Sequence, residues 1–250
     1  KIIQRKSYNL MNLIRTFFLD FINKKVRIFF CFFKRKSIYC RCFSNSASNT
    51  TFMAIYNNIF KITHNDTLPA QGSLLISEPF LQDAYFQRSV VLLVEHTQEG
   101  SMGFVLNKKT DLFVNTFFSE LAGAPEIPIY LGGPVSSNRL FFIHTLGDLI
   151  IPDAYKINEE LYFDGDFNAL LRYIQNGHSI EGKVRFFLGY SGWQKGQLKD
   201  EILSNSWVVS HLSDSNVLQA EGEEFWKHTL KSLGSQYETW TKYPKDPYLN

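Results

Sequence analysis

The chain has 250 residues, with 26 Lys and Arg against 24 Asp and Glu and only three cysteines; this length holds one or two domains, one being the simpler reading. The near-neutral total hides a split: the 52 residues before Met53 carry 11 Lys and Arg and a single acid, Asp20, whereas from Met53 onward 15 basic side chains face 23 acidic ones, a net charge of −8. Cys31, Cys40 and Cys42 all precede Met53, so the remainder can form no disulfide, thiolate metal site or cysteine nucleophile, and its charge opposes direct DNA binding.

Residues 1–52 form a basic leader rich in Phe, Lys, Ile, Asn and Ser, without Gly or Pro and without a sustained helical period. Three readings are compatible with it: sequence upstream of the true start, an organelle presequence, or a basic arm for nucleic acid or a membrane surface. Its apolar run, "VRIFFCFFK", is far shorter than the ~20 residues a membrane span needs, so no transmembrane segment is expected.

Residues 53–250 read as one α+β domain with a short C-terminal extension. "GSLLIS" and "RSVVLLVEH" are predicted strands, the second with five consecutive apolar residues, Val90 to Val94, as expected when both sheet faces are covered. "TQEG" then turns the chain into "SMGFVLN", predicting a hairpin. "DLFVNTFFSELAG" predicts a helix from Asp111 to Gly123. "IPIYLGG" and "RLFFIHTL" are predicted strands around a "GGPVSSN" turn. In "DFNALLRYIQNG", Phe167, Leu170, Leu171 and Ile174 mark one buried helix face, starting at Asp166 and stopping at Gly177. "KVRFFLGYSG" predicts a strand, "GQLKDEIL" a short helix, "SWVVSHL" a strand, and "EEFWKHTLKSLG" a helix stopped by Gly234. The elements do not alternate as βαβ units, which argues against a doubly wound sheet. From Tyr237 on, the chain reads as a loose or docked tail.

Standard catalytic signatures fail. In "GYSGW" the second glycine of a serine nucleophile elbow would fall at Trp193. "GYSGWQKGQ" has no GK[ST], "LGGPVSS" lacks dinucleotide spacing, and no HExxH or calcium loop occurs. Ser191 would need a histidine beside it to act as a nucleophile. No cofactor and no metal is therefore expected. The stretch "GYSGWQKGQLKDEI" (189–202) remains the most unusual. Gly189 and Gly192 predict a strand-to-helix turn, with Gly196 close behind. In a continued helix Trp193, Gln197 and Glu201 would share one face.

Several separated motifs agree on a family. "GSLLISEP", "FQRSVVLLVEH", "GFVLN", "YLGGPV", "FFIH", "GYSGWQKGQLKDEI" and the "SW" at Ser206 and Trp207 occur in one order between Gly72 and Gly234. In this the chain resembles the bacterial YqgE/AlgH family. It departs from the family where Asp83 is followed by Ala84 rather than Pro, and where Asn107 is followed by Lys108 and Lys109 rather than Arg-Pro.

The resemblance implies a branched mixed sheet that includes a small closed barrel, surrounded by helices, in a cytoplasmic protein whose relatives begin near Met53. It supplies no reaction, and members commonly carry the label of transcriptional regulator. The expectation is a non-enzymatic binding or regulatory protein with an unknown protein or small-molecule partner. Arg88, His96, Asn107, His144, Tyr190, Trp193, Gln197 and Glu201 are its candidate contacts, beside the glycine turns at Gly132, Gly133, Gly189, Gly192 and Gly196. The alternative is a hydrolase or transferase for an anionic small molecule, with His96, His144 and Glu201 as acid–base groups and Arg88 as an anion clamp.

Overall fold

The computed structural model describes residues 62–211 and 215–245, and every element below lies in the compact unit that starts at His64. The leader and the expectations attached to it lie outside the described residues. The first strands, β1 (Ser73–Ser77), β2 (Val90–His96) and β3 (Gly100–Val105), form an antiparallel meander, and the predicted β2–β3 hairpin is present. Val90 to Val94 are all buried, which accounts for the unbroken apolar run.

The predicted helix over 111–123 does not form. Its first residues belong to β4 (Lys109–Phe113), followed by two short 3-10 turns, Val114–Thr116 and Ser119–Leu121. Asn115 explains the change: its Oδ1 accepts the Ile127 N–H at 2.8 Å, and its Nδ2 donates to the Leu121 carbonyl at 2.8 Å. These bonds give the backbone an alternative to helix, while Phe118 packs on Phe167 with ring centroids 4.8 Å apart.

The strands β5 (Pro128–Leu131), β6 (Val135–His144), β7 (Tyr155–Lys156) and β8 (Tyr162–Phe163) lead to helix α1 (Phe167–Gln175). α1 starts where expected, with the Asp166 carboxylate accepting the Asn168 N–H at 2.9 Å, and it buries Leu170 and Ile174. The long strand β9 (Val184–Gln194) then runs through most of the glycine motif, followed by α2 (Gln197–Leu203), β10 (Trp207–His211), α3 (Gly222–Ser232) and α4 (Ser235–Glu238). The turn into α2 is therefore not at Gly189 and Gly192. It lies at Lys195 and Gly196, where Gly196 takes φ 79°.

β9 is the branch point. Along Phe186–Leu188 it pairs in parallel with β5 on one edge and antiparallel with β6 on the other; beyond Tyr190 it pairs with β3. Two glycines make room there: a Cβ on Gly132 would lie 2.2 Å from the Gly189 carbonyl oxygen, and one on Gly133 would lie 2.4 Å from the Tyr190 carbonyl. "GGPVSSN" is accordingly a backbone crossing that feeds straight into β6, rather than a free turn.

The sheet is branched and mixed, but the small closed barrel is not found. The strand order is β10-β1-β2-β3-β9-β6-β8-β7, with β5 and β4 on the branch, and the two ends do not pair. The path curls into a half-barrel around Phe104, Phe141, Phe163 and Phe187, with Phe104 within 5.1–5.6 Å of the other three rings. Side chains close the seam instead of a ladder. Just before β1, Gln71 Nε2 donates to the Lys156 and Ile157 carbonyls at 3.0 and 2.9 Å, and the Tyr155 hydroxyl donates to its Oε1 at 2.9 Å. β7 is two residues long, too short to complete a ladder. At the other end, Asn65 caps the β10 edge by donating to the Val209 carbonyl and accepting its N–H.

The fold is thus a mostly-sheet domain with a few helices, not a sheet surrounded by them. α2 covers the outer face, where Leu198 and Ile202 pack with Leu75, Val91, Leu93, Val105, Trp193, Trp207 and Val209. From Tyr237 to Tyr243 the chain is docked: Tyr237 and Trp240 are buried, and Tyr243 stacks on Phe80 at 5.5 Å. No helix of the described residues is long and apolar enough to cross a membrane.

Candidate functional site

Trp193, Gln197 and Glu201 meet, though not along one helix. Trp193 comes from β9 and the other two from α2. The Glu201 carboxylate accepts the Trp193 and Trp207 indole N–H groups, both at 2.8 Å, and the Gln197 amide at 2.9 Å. Gln197 also takes the Gln194 N–H at 3.0 Å. Phe86 lies against both indoles, at 6.4 and 5.4 Å. With the two indoles only 6% and 1% exposed, this is a satisfied polar knot that fixes α2 on the sheet. Trp207 is the member that sequence spacing did not join to the others.

Arg88 and Asn107 belong to a second group. Arg88 pairs with neither Glu78 nor Asp83; its guanidinium binds Glu223, donates to the Tyr243 carbonyl at 2.6 Å and lies 5.1 Å above the Trp226 ring. Burial pushes the Glu223 carboxyl up, but hydrogen bonds from Lys245 and Arg88 outweigh it and hold Glu223 at about 2. Asn107 accepts the Val90 N–H and donates to the Arg88 and Gly222 carbonyls, tying β2, the β3 end and α3 together. Lys108 donates to the Gln87 carbonyl at 2.6 Å, and burial lowers its pKa. Both groups secure the loop between β1 and β2. Arg185, which periodicity had placed in a strand without a role, is a buried cation over Tyr130 at 3.9 Å that donates to the Leu106 and Ala220 carbonyls.

The histidines stand apart. His96 shares its Nδ1 with the Ser101 hydroxyl at 2.7 Å, and Ser101 is the register partner of Trp193. His96 and Trp193 therefore share a sheet face, roughly 10 Å apart across two strand spacings. His144 is buried, with Nε2 against the Asp164 carbonyl at 3.1 Å and its ring stacked on Tyr162 at 5.7 Å; burial lowers its pKa. It pairs with Val184 at the start of β9, so it lies roughly 30 Å of strand contour from Trp193. Tyr190 is half-buried with its ring edge-on to Phe141, and the Ser191 hydroxyl donates to the Gly132 carbonyl at 3.0 Å.

A concave feature lies elsewhere, at the mouth of the curled sheet beside the seam. A cleft of about 440 Å³ is lined by Asp153, Tyr155, Phe163, Asp164, Gly165 and Asp166. A slot of about 150 Å³, lined by Val94, Glu95, Met102, Tyr155 and Phe163, adjoins it through the two shared aromatics. Asp153 and Asp164 hold φ values of 62° and 55°, a conformation that few non-glycine residues adopt. Burial pushes the Asp164 carboxyl up to about 6, opposed by the charge of Arg139. Apart from Asp166, which the sequence marks only as a helix start, none of these residues stands out from the sequence as a site residue. Only the "DGD" turn at Asp164–Asp166 was a readable signal, and it pointed to a turn rather than to a cleft.

Among the described residues, no group of three or more His, Cys, Asp and Glu is arranged to hold a metal ion.

Comparison with known proteins gives a consistent assignment. The family model described as AlgH-like matches residues 74–238. A UPF0301 protein of Parabacteroides distasonis is 75% identical over 198 residues, covering 79% of this chain and all of that protein; one of Bacteroides thetaiotaomicron is 46% identical over the same extent. Among solved structures, AlgH of Pseudomonas aeruginosa superposes with a TM-score of 0.55 at 28% identity, over 72% of this chain and 98% of that one. Protein DIP2367 of Corynebacterium diphtheriae, 21% identical over 74% of this chain and 97% of its own, shares the fold with a TM-score of 0.61. On the family match across residues 74–238 and these relatives, the chain belongs to the AlgH-like family.

Proposed function

We propose that this protein is a non-enzymatic binding protein of regulatory type, and that its recognition surface is the cleft at the sheet seam rather than the glycine motif. One observation carries the reading. The side chains of Trp193, Gln197 and Glu201 and the two Nη groups of Arg88 are engaged in holding elements together, whereas the Asp153 and Asp164 carboxylates, which line the cleft, have no hydrogen bond or ion pair among the described residues. The net charge of −8 beyond residue 52 favours regulation by protein contact over direct contact with DNA phosphates. The alternative, an enzyme for an anionic small molecule, draws no support from the geometry, because His96, His144, Glu201 and Arg88 do not converge on one pocket.

Complementation tests this. Cells lacking their own copy are given either the wild-type chain or a folded variant, Leu149→Ser/Asp153→Asn, in which Leu149, 97% exposed in the loop that leads to Asp153, is changed along with that aspartate, and their transcript profiles are compared. The seam variant is expected to leave the deletion profile in place. Full restoration by that variant refutes the assignment of function to the seam, and restoration lost only in a His96→Ala variant points to chemistry instead.

A further inference from the structure

The cleft can be characterised by the chemistry it presents. Four carboxylates line the cleft and the slot: Asp153, Asp164, Asp166 and Glu95. Only Asp166 has a cation within ion-pair distance among the described residues, Arg172 at 3.5 Å, and Arg139 acts on Asp164 from further away. Next to these acids the surface is apolar. Of the five large hydrophobic side chains left exposed among the described residues, three fall within seven positions of one another: Tyr155 (48%), which lines the cleft, and Leu149 (97%) and Ile150 (42%), which precede Asp153 in the same loop. An apolar cluster at an acidic rim is the pattern of an interaction surface rather than of scattered exposed residues.

The loop that presents them is held in place. Ile151, next to Ile150, is fully buried, and its N–H donates to the Gly147 carbonyl at 3.0 Å. Asp166 N–H donates to the Pro152 carbonyl at 2.8 Å. Gly165 lets the two segments touch, since a Cβ there would lie 2.8 Å from Ile151 Cγ2 and 2.9 Å from the Pro152 oxygen. Leu149 is therefore displayed by an anchored loop, and a partner meeting a preformed surface loses less entropy on binding. The slot behind Tyr155 has apolar walls in Val94, Met102 and Phe163, with Glu95 at its side. It is sized for one side chain, and a methionine wall adapts to different anchors.

Resting on the seam as the recognition surface, we infer that this cleft docks a basic segment of a partner protein, with Lys or Arg side chains on Asp153 and Asp164 and one large apolar side chain in the slot. Charge complementarity selects this occupant. An acidic segment or a nucleic acid meets four carboxylates, and an uncharged apolar segment leaves Asp153 and Asp164 desolvated without partners.

The test uses the whole chain and three fluorescein-labelled peptides: Lys/Arg with a central Trp, Lys/Arg with Gly in place of Trp, and Glu with the same Trp. Binding is read by fluorescence anisotropy, and the site by amide chemical shifts. The Trp-containing basic peptide is expected to bind, with shifts at residues 149–155 and 163–166, and more weakly as salt rises. The Gly peptide and the acidic peptide should bind at least tenfold more weakly. Asp153→Asn/Asp164→Asn and, separately, Leu149→Ser should each weaken binding about tenfold while leaving thermal unfolding cooperative. Equal binding of the Trp and Gly peptides, unchanged affinity in both variants, or shifts elsewhere on the sheet overturns the inference. Displacement of the peptide by spermidine or magnesium with the same shift pattern also overturns it, assigning the acids to a free cation. If none of the peptides binds while complementation still depends on Leu149 and Asp153, the partner class is wrong and the seam reading stands.

Discussion

Glu78 offers a test of how this fold handles a buried charge. It follows β1, is 5% exposed, and its Oε2 accepts the Phe80 N–H at 2.7 Å. No cation pairs with it among the described residues, because Arg88 is committed to Glu223. Burial raises its pKa from 4.5 to about 7, against the opposing effect of the Phe80 hydrogen bond. Below pH 4.5 the carboxyl is protonated in both folded and unfolded chains and costs nothing. As pH rises, the unfolded chain releases its proton first while the folded chain retains it, so stability falls until pH passes about 7. The gap from 4.5 to about 7 is worth about 3 kcal/mol. Gln at this position keeps the shape and the acceptor for Phe80 but cannot ionise. Equilibrium urea unfolding of wild type and Glu78→Gln across this pH range should show the variant gaining about 3 kcal/mol on wild type between pH 4.5 and pH 8, an advantage of several degrees in Tm at the alkaline end. A stability difference that stays flat with pH would refute the reasoning, because it would mean that the carboxylate is solvated or paired in the folded protein.

Four further outcomes are expected. Glu201→Ala strands two buried indole N–H groups at about 1–3 kcal/mol each, so the urea midpoint should drop by the equivalent of about 3 kcal/mol with altered Trp emission; both indoles donate to Oε2, so Glu201→Gln, with its amide oxygen in that place, keeps both bonds, loses only the Gln197 bond at Oε1 and should recover most of the loss. Gly132→Ala forces a Cβ to 2.2 Å from the Gly189 oxygen and should cost more than about 3 kcal/mol, whereas Gly196→Ala, with open space around it but φ 79°, should cost about 1 kcal/mol in the same assay. Gln71→Ala removes the seam bridge, and hydrogen exchange across residues 155–163 should quicken about tenfold with little change in global stability; unchanged exchange would show that β7 and β8 are held by packing alone. Glu223, held at about 2 by Lys245 and Arg88, contributes stability above pH 4.5 that is lost as pH falls toward 2, so Lys245→Ala and Arg88→Ala should each make the acid limb of the stability profile shallower, and the double variant should flatten it.

The residues that were misread show where local reasoning stops. Asp111 to Gly123 carries the composition of a packed helix, yet Asn115 reaches Ile127 and Leu121 and turns the segment into a strand and two short turns. Those bonds require β5 to stand alongside β4, which nothing in the local spacing states. The glycine motif looked like a turn because Gly189 is the residue type that turns need; it lies inside β9 because two other strands approach its backbone there. Arg88 had acids nearby in sequence, Glu78 and Asp83, but its partner is 135 positions away.

The sequence by itself determined the strands β1, β2, β3, β9 and β10, the helices α1 and α3 and the family, because apolar periodicity, caps and ordered motifs are local properties of the chain. Only the tertiary structure decided that the sheet curls without closing and that Gln71 bridges the gap. It alone decided that Glu201 serves two tryptophans and that Asp153, Tyr155, Phe163 and Asp164 surround one cleft. Periodicity records which face of an element leaves water. Which faces and loops then meet depends on strand register and on the branch at β9, where residues far apart in sequence become neighbours.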